Sequence, residues 1–479
     1  MHRLLCLCVL FVGFSGCMVG PDYRKPDIDV PGSFTYAPRV ASETANTQWW
    51  KQFGDPVLEG LIAEALANNS SVKIAAANVE QAAGLLMTTR SELSPQAGYS
   101  GAGARQHLSG STVSPAPRTN PYSSFQVLGG ANWEIDLWGR IQRLTEAARA
   151  GVFASEGARR GVILSLVAQV ASAYIQLCAL DEQLMIAQRS LAAYGESVKL
   201  FEVQNRYGQV SGMNVEQART QYETAAAAIP QIETQIVQTE NVLSLLLGRN
   251  PGPMPRGKPL SGLAMPEIPS GLPSQLLERR PDIAQAEQNL VAANARIGAA
   301  KALYFPSISL TGSRGASSEE LSDLFKGPSG TWSYSGSITG PIFTAGNIAG
   351  QVKLAEAGQQ AALAAYEQAV RSAFADMENA LASCRMLEDQ LSAEKRRVDA
   401  YKEYARLALL QYNGGYAPYL TVLYAEAQLF PAELNEVQTR AATFTALINI
   451  YKAMGGGWVT EAEKLAAPKD KQGEKGRDN

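Results

Sequence analysis

An excess of either charge is missing from this chain: 42 Lys and Arg stand against 45 Asp and Glu, a net of −3 over 479 residues. Such balance implies neither a nucleic-acid-binding face nor an acidic tail. Histidine is nearly absent, and His107, the one well inside the chain, lies in a polar loop without a partner in view. No GxSxG, HExxH, P-loop or CxxC pattern occurs, so the common hydrolase, metalloprotease, nucleotide and dithiol motifs are excluded. The chain reads as non-enzymatic, with no metal site and no cofactor. Beyond the first residues, no run reaches the ~18 apolar positions of a membrane helix, so a crossing of the membrane is expected to use strands. Proline is absent from Gly139 to Ile229 and again from Ile342 to Ala417, which leaves room for two very long helices.

What is present begins with a signal. His2 and Arg3 precede the apolar run Leu4 to Phe14, and Ser15-Gly16-Cys17 follows. That pattern is a secretory signal over residues 1–16, with an end that resembles a bacterial lipobox and marks Cys17 for lipidation. Met18 after the Cys, where Asp would stand otherwise, resembles the outer-membrane sorting pattern. Residues 17–57 are Pro-punctuated and unpatterned, and are expected to lie as an extended tether over a folded body.

The rest of the chain is a tandem duplication, with a first repeat at 58–257 and a second at 258–460. Gly346 stands 207 positions after Gly139, and the same interval carries Leu180-Asp181-Glu182-Gln183-Leu184 onto Leu387-Glu388-Asp389-Gln390-Leu391. Self-similarity of this kind sets architecture before local pattern does. Each repeat opens with a short helix, from about Leu58 to Leu93 in the first, and each then turns to strands. Phe125, Val127, Gly129, Ala131, Trp133 and Ile135 alternate with polar neighbours, as do Trp332, Tyr334, Gly336, Ile338 and Ile342. Period two of this length is a strand. The partner strands are placed at Ala97 to Gln106 and Pro306 to Arg314, with polar loops at 107–121 and 317–330. Four strands of about ten residues suit a membrane, but a closed barrel starts near eight, so more than one copy is required. Two copies would supply eight strands and three would supply twelve.

The proline-free stretches carry apolar positions at heptad steps. Ile163, Val167, Val170, Tyr174, Leu177, Leu180 and Leu184 form one seam, and Val370, Phe374, Met377, Leu381, Cys384, Leu387 and Leu391 repeat it. Steps of three and four make a coiled-coil seam, and a helix from Gly139 to about Arg206 would be roughly 100 Å long. Glycine turns end the rods at 207–212 and 412–418, and helices return at 213–247 and 419–454. Pro230 and Pro431 should bend those return helices. Cys178 and Cys384 are expected to be free thiols, because the duplication sets them too far apart to bridge. Glu278-Arg279-Arg280-Pro281-Asp282 reads as a helix start, and 461–479 as a polar, disordered tail.

The strings CMVGPDYRKP, WWKQFGDPVL, LLERRPDIAQAEQNLVAANARIGAAKALYFPSISLTG and YKAMGGGW resemble the TolC superfamily, closest to the outer-membrane lipoproteins of resistance-nodulation-division efflux systems. The resemblance implies a mainly α fold with membrane β. It further implies a homotrimer whose 12-stranded barrel continues as a periplasmic α-helical barrel, held in the outer-membrane lipid and working with a periplasmic adaptor and an inner-membrane pump. Carried over by position, Tyr207, Gly208, Ser211, Asn214, Gly415 and Tyr419 are adaptor-facing tip residues, although the first tip is about two residues shorter than usual. Leu420 matches the family's apolar gate ring, while Tyr424 stands where relatives of this type place an aspartate. The implied function is a passive exit duct for drugs or other small solutes. A duct for secreted polypeptide and a periplasmic coiled-coil scaffold are the alternatives, and the duplicated, aromatic-bearing strand pairs count against the scaffold.

Overall fold

The computed structural model describes residues 18–36, 48–109, 111, 120–268 and 277–456. Cys17, the signal, part of the first hairpin loop and the 461–479 tail lie outside them. The described order is α1 (Pro56–Asn68), α2 (Ser70–Ser91), β1 (Gln96–Gln106), β2 (Tyr122–Ile135), α3 (Arg140–Arg206), α4 (Gly212–Leu246), α5 (Pro281–Ala302), β3 (Ser307–Ser318), β4 (Gly330–Thr339), α6 (Asn347–Asn413) and α7 (Tyr419–Ala453). The long helices α3 and α6 have 67 residues each, and α4 and α7 have 35 each. The chain forms two compact units that cut across the repeat. Of the described residues, one holds those in 18–27, 78–155 and 285–367, and the other those in 28–77, 156–284 and 368–456.

The first unit is built on one antiparallel sheet in the order β1-β2-β3-β4. Its register places Gln96, Asn132, Thr311 and Ser335 side by side, one from each strand. On that face the Thr311 and Ser335 hydroxyls are 2.7 Å apart and those of Ser313 and Ser333 2.8 Å apart. The opposite face carries Tyr99, Val127, Trp133, Leu310, Trp332, Tyr334 and Ile338, as period two demands. Tyr99 is 94 % exposed and Trp332, Tyr334 and Ile338 are exposed too, so among the described residues most of this apolar face is left uncovered. β3 runs beyond its expected end at Arg314 to Ser318, and short 3-10 turns at Leu321–Asp323 and Gly327–Ser329 occupy the second loop. Ile342 was expected in the last strand, but β4 stops at Thr339. Pro341, which has no N–H for the ladder, follows within two residues.

The second unit is helical. Asp55 caps α1 by accepting the Val57 N–H at 2.9 Å, with Pro56 at the first helical position, the usual chemistry of a helix start. The α3 seam residues Ile163, Val167, Val170, Tyr174, Leu177 and Leu180 are buried against Leu58 and Ile62 of α1 and Phe444 and Ile448 of α7. One part of the presumed tether belongs to this core. Trp49, Trp50 and Phe53 form a 3-10 turn and are all buried, and the Trp49 ring stacks on Tyr451 at 5.2 Å. These aromatic groups sit inside because each removes a large apolar area from water. A second correction concerns hydropathy. α3 does contain an 18-residue window apolar enough for a membrane, but 67 % of that window is buried in the protein. Its apolarity serves the helix seam.

Cys178 and Cys384 are free and buried, and burial pushes both thiols up to about 12. The thiolate is the reactive form. At neutral pH neither should react with maleimide in the native protein, and both should react once it is unfolded. One equivalent consumed natively would contradict this packing.

Candidate functional site

The two rod ends are built alike. At the end of α3, Gly208 adopts φ +69°, its N–H donates to Asn205 O, and the Gln209 N–H donates to Gln204 O, both at 2.9 Å. At the end of α6, Gly415 adopts φ +74°, and the Gly415 and Tyr416 N–H groups donate to Tyr412 O and Gln411 O at 3.0 and 2.9 Å. This nested pair is the glycine-terminated helix stop, and a Cβ at either glycine would be strained. In the first turn Asn205 Nδ2 donates to Val210 O at 2.9 Å and Ser211 Oγ to Asn214 Oδ1 at 3.1 Å. Tyr207 and Tyr416 project into solvent.

Under the turns lies a small core of Phe201, Val215, Ala218, Ala408, Val422 and Leu423. Tyr419, expected as a tip-surface residue, belongs to that core. It is 8 % exposed, its ring packs edge-on against Phe201 and Tyr412 at 4.5 and 4.8 Å, and its hydroxyl lies 3.0 Å from Ser197 Oγ. Position in the turn suggested exposure. The aromatic ring instead fills the gap between α3, α6 and α7, and its hydroxyl keeps a partner there.

Leu420 and Tyr424 lie one turn apart on α7, 50 % and 58 % exposed respectively, so the structure brings the two expected gate residues onto one open face. Two titratable groups near them were missed by sequence reasoning. Burial raises the Glu426 carboxyl above its usual range, and its Oε2 is buried without a hydrogen-bond partner. The Tyr194 hydroxyl donates to its backbone carbonyl at 3.0 Å. A raised carboxyl favours the packed state fully below the ordinary glutamate range, and that contribution fades as pH climbs through the raised value. Acid therefore favours this packing. Glu433, also buried, accepts from Arg189 of α3 at 2.5 Å and faces Lys402 of α6 at 3.5 Å, tying three helices. Only their place after YLTVLYA, on a helix already suspected of lining a constriction, could have singled them out.

Arg280 was read as part of a helix start and does more. It is buried, donates to Asp376 Oδ2 at 2.9 Å and to the carbonyl of Ala453, the last residue of α7, at 3.1 Å, and pairs with Asp282 at 2.7 Å. A cation there suits the negative end of the helix dipole. Beside it opens a groove of about 690 Å³ lined by Arg280, Asp282, Asp376 and Lys452 together with the neutral polar side chains of Gln176, Asn379, Gln438 and Asn449. Among the described residues no cluster of His, Cys, Asp or Glu is arranged to hold a metal ion.

A sheet with one uncovered aromatic face and one hydroxyl face, carried by helices of 67 residues, defines an outer-membrane channel of strands and rods. The sequence model described as "Outer membrane efflux protein" matches residues 61–249 and 272–456, one segment in each repeat. Among curated proteins, the chain is similar to the probable efflux pump outer membrane protein TtgC of Pseudomonas putida, with 37 % identity over 95 % of this chain and 96 % of that one. It is likewise similar to the cation efflux system protein CusC of Escherichia coli, with 35 % identity over 95 % and 99 %. Among solved structures, the open state of the Neisseria gonorrhoeae MtrE outer membrane channel aligns with TM-score 0.85 and 37 % identity over 92 % of this chain and 99 % of that one. The chain belongs to the outer membrane efflux protein family, within the TolC superfamily, a family of channels rather than enzymes, and it is an outer-membrane exit channel.

Proposed function

We propose that three copies close one 12-stranded barrel and continue it as a helical barrel in the periplasm. The observation that carries this reading is the sheet. Its two edge strands, β1 and β4, have no further strand beside them among the described residues, and an open edge is not tolerated in lipid. The strands have 10 to 14 residues, enough for a tilted crossing. Their aromatic face turns to lipid and their hydroxyl face to the passage. Signal removal leaves Cys17 as a lipidated N-terminus in the outer membrane.

In this reading Tyr207, Gly208, Ser211, Asn214 and Gly415 face a periplasmic adaptor, and Tyr419 supports them from beneath. An inner-membrane resistance-nodulation-division pump drives the flow, and the channel conducts passively. Names among the relatives speak of toluene, antibiotics and cations, which fits a duct for drugs or other small solutes. Three copies of Leu420 and of Tyr424 form stacked rings that narrow the resting pore.

Topology gives the direct test. Epitope tags placed in 107–121 and 317–330 should be reached by antibody on intact cells, while tags at 209–212 should be hidden. The reverse pattern would invert the orientation. Cys17→Ser should abolish incorporation of labelled lipid, and persistent labelling would remove the anchor from position 17.

A further inference from the structure

The residues directly after Cys17 are held more closely than a trailing tether requires. Within the sheet-bearing unit, the Val19 N–H donates to Trp138 O at 3.1 Å. Arg143, 2 % exposed at its side chain, donates to Val19 O at 3.3 Å, to Gly20 O at 3.4 Å and to Asp22 Oδ1 at 2.8 Å. Asn294 Nδ2 donates to Pro21 O at 2.9 Å. Four main-chain groups of three consecutive residues are thus bound, in the manner of a peptide in a receptor. The fourth interaction of Arg143, with Glu146 at 2.8 Å, holds its guanidinium in place. Glycines set the approach. A Cβ on Gly20 would stand 2.3 Å from Gly298 Cα, one on Gly298 2.6 Å from Val19 O, and one on Gly139 2.5 Å from Met18 Cγ.

The site spans both repeats. Trp138, Gly139 and Arg143 follow β2, while Asn294 and Gly298 belong to α5, which leads into β3. β2 and β3 pair along eleven positions without a hairpin between them. Beside this junction Trp138 stacks on Phe305 at 4.6 Å and donates its indole N–H to Pro306 O at 2.8 Å.

We propose that Met18–Asp22 is a latch, bound through its main chain in a peptide site made by Trp138, Gly139, Arg143, Asn294 and Gly298, that staples the first repeat to the second where β2 meets β3. It rests on the lipidated reading of Cys17 only for its consequence, that the acyl-bearing end is fixed at the inner end of the strands. The latch itself needs no lipid.

Hydrogen–deuterium exchange of residues 18–23 in the full-length protein tests this, alongside lipid labelling and the heat stability of the oligomer. The Val19 amide, whose N–H donates to Trp138 O, should exchange at least about tenfold more slowly than in free peptide, in wild type and in a secreted Cys17→Ser chain alike. Gly20→Val, which alters the latch and leaves the body intact, should abolish that protection and lower the temperature at which the oligomer dissociates. Gly298→Val should do the same from the other side, and Arg143→Lys should restore only part of what Arg143→Ala loses. Protection without lipid labelling would remove the anchor and keep the latch. An unprotected Val19 amide in wild type, protection that survives Gly20→Val, or protection lost on Cys17→Ser alone would each overturn the latch.

Discussion

Oligomers in which Leu420 and Tyr424 are both alanine should conduct several-fold more current across a planar bilayer than the wild type. Each residue sits on the open face of α7, at 50 % and 58 % exposure, and three copies would crowd one level of the passage. A Leu ring over a Tyr ring excludes water and ions by being apolar and narrow. Truncation to methyl groups removes that barrier and leaves the buried supports Tyr419 and Val422 in place. Acid should not substitute for the mutations. An aspartate ring would attract cations and respond to protonation, but Leu420 has no charge to lose. The nearby raised carboxyl of Glu426 becomes neutral as pH falls, which favours the packed tip. Wild-type conductance should therefore stay low on acidification. A double mutant that conducts no better than wild type would place the constriction elsewhere.

Asp55→Ala should cost about 3 kcal/mol or more of stability in the helical unit, since it leaves several buried donors unpaired at ~1–3 kcal/mol each. Asp55 is fully buried. Besides capping α1, its Oδ2 accepts from the Tyr174 hydroxyl at 2.7 Å and from the Lys258 N–H at 3.0 Å. Tyr174 Oη in turn accepts the Gly257 N–H at 3.0 Å, and Gly257 has no room for a Cβ beside the carboxylate. One side chain thus joins α1, α3 and the segment between the repeats. Asn should rescue poorly, because its NH₂ would meet N–H donors where a carboxylate oxygen now accepts. Thermal unfolding followed by helical circular dichroism measures the loss. Combining Asp55→Ala with Tyr174→Phe should cost less than the sum of the two, and strict additivity would show that they do not act together.

Both rods, both strand pairs and the helix stops were legible because their signals repeat. A seam such as Ile163-Val167-Val170 has a period, and the duplication states each pattern twice. Residues that act once were not legible. Trp49, Trp50 and Phe53 stand in an unpatterned stretch, and only Tyr451 and Phe444, some four hundred positions on, make them core. Arg280 looked like a charged helix start until the end of α7 came to meet it. Tyr419 and Glu426 sit where turn position and polarity argue for exposure, yet Phe201 of α3 and Tyr412 of α6 cover the first and Tyr194 of α3 bonds the second. Ile342 continued an alternation that the sheet had already left. Periodicity reports which face of an element is apolar, and it is silent on which distant segment will cover a single residue.

In the proposed trimer the hydroxyl rows of the sheet would face the passage, which bears on what its wall can do to a travelling solute. A Ser or Thr hydroxyl rotates and can donate or accept, so the pairs Thr311–Ser335 and Ser313–Ser333 can exchange each other for a passing amide, carboxylate or ammonium at little cost. Gly98 and Gly130, side by side in the same row as Ser313 and Ser333, offer nothing to grip. On the inner wall of the proposed trimer such rows would hold a solute of either sign only weakly, since the one charge the strands add to this face, Glu134 of β2, is paired with Arg140 at 3.0 Å.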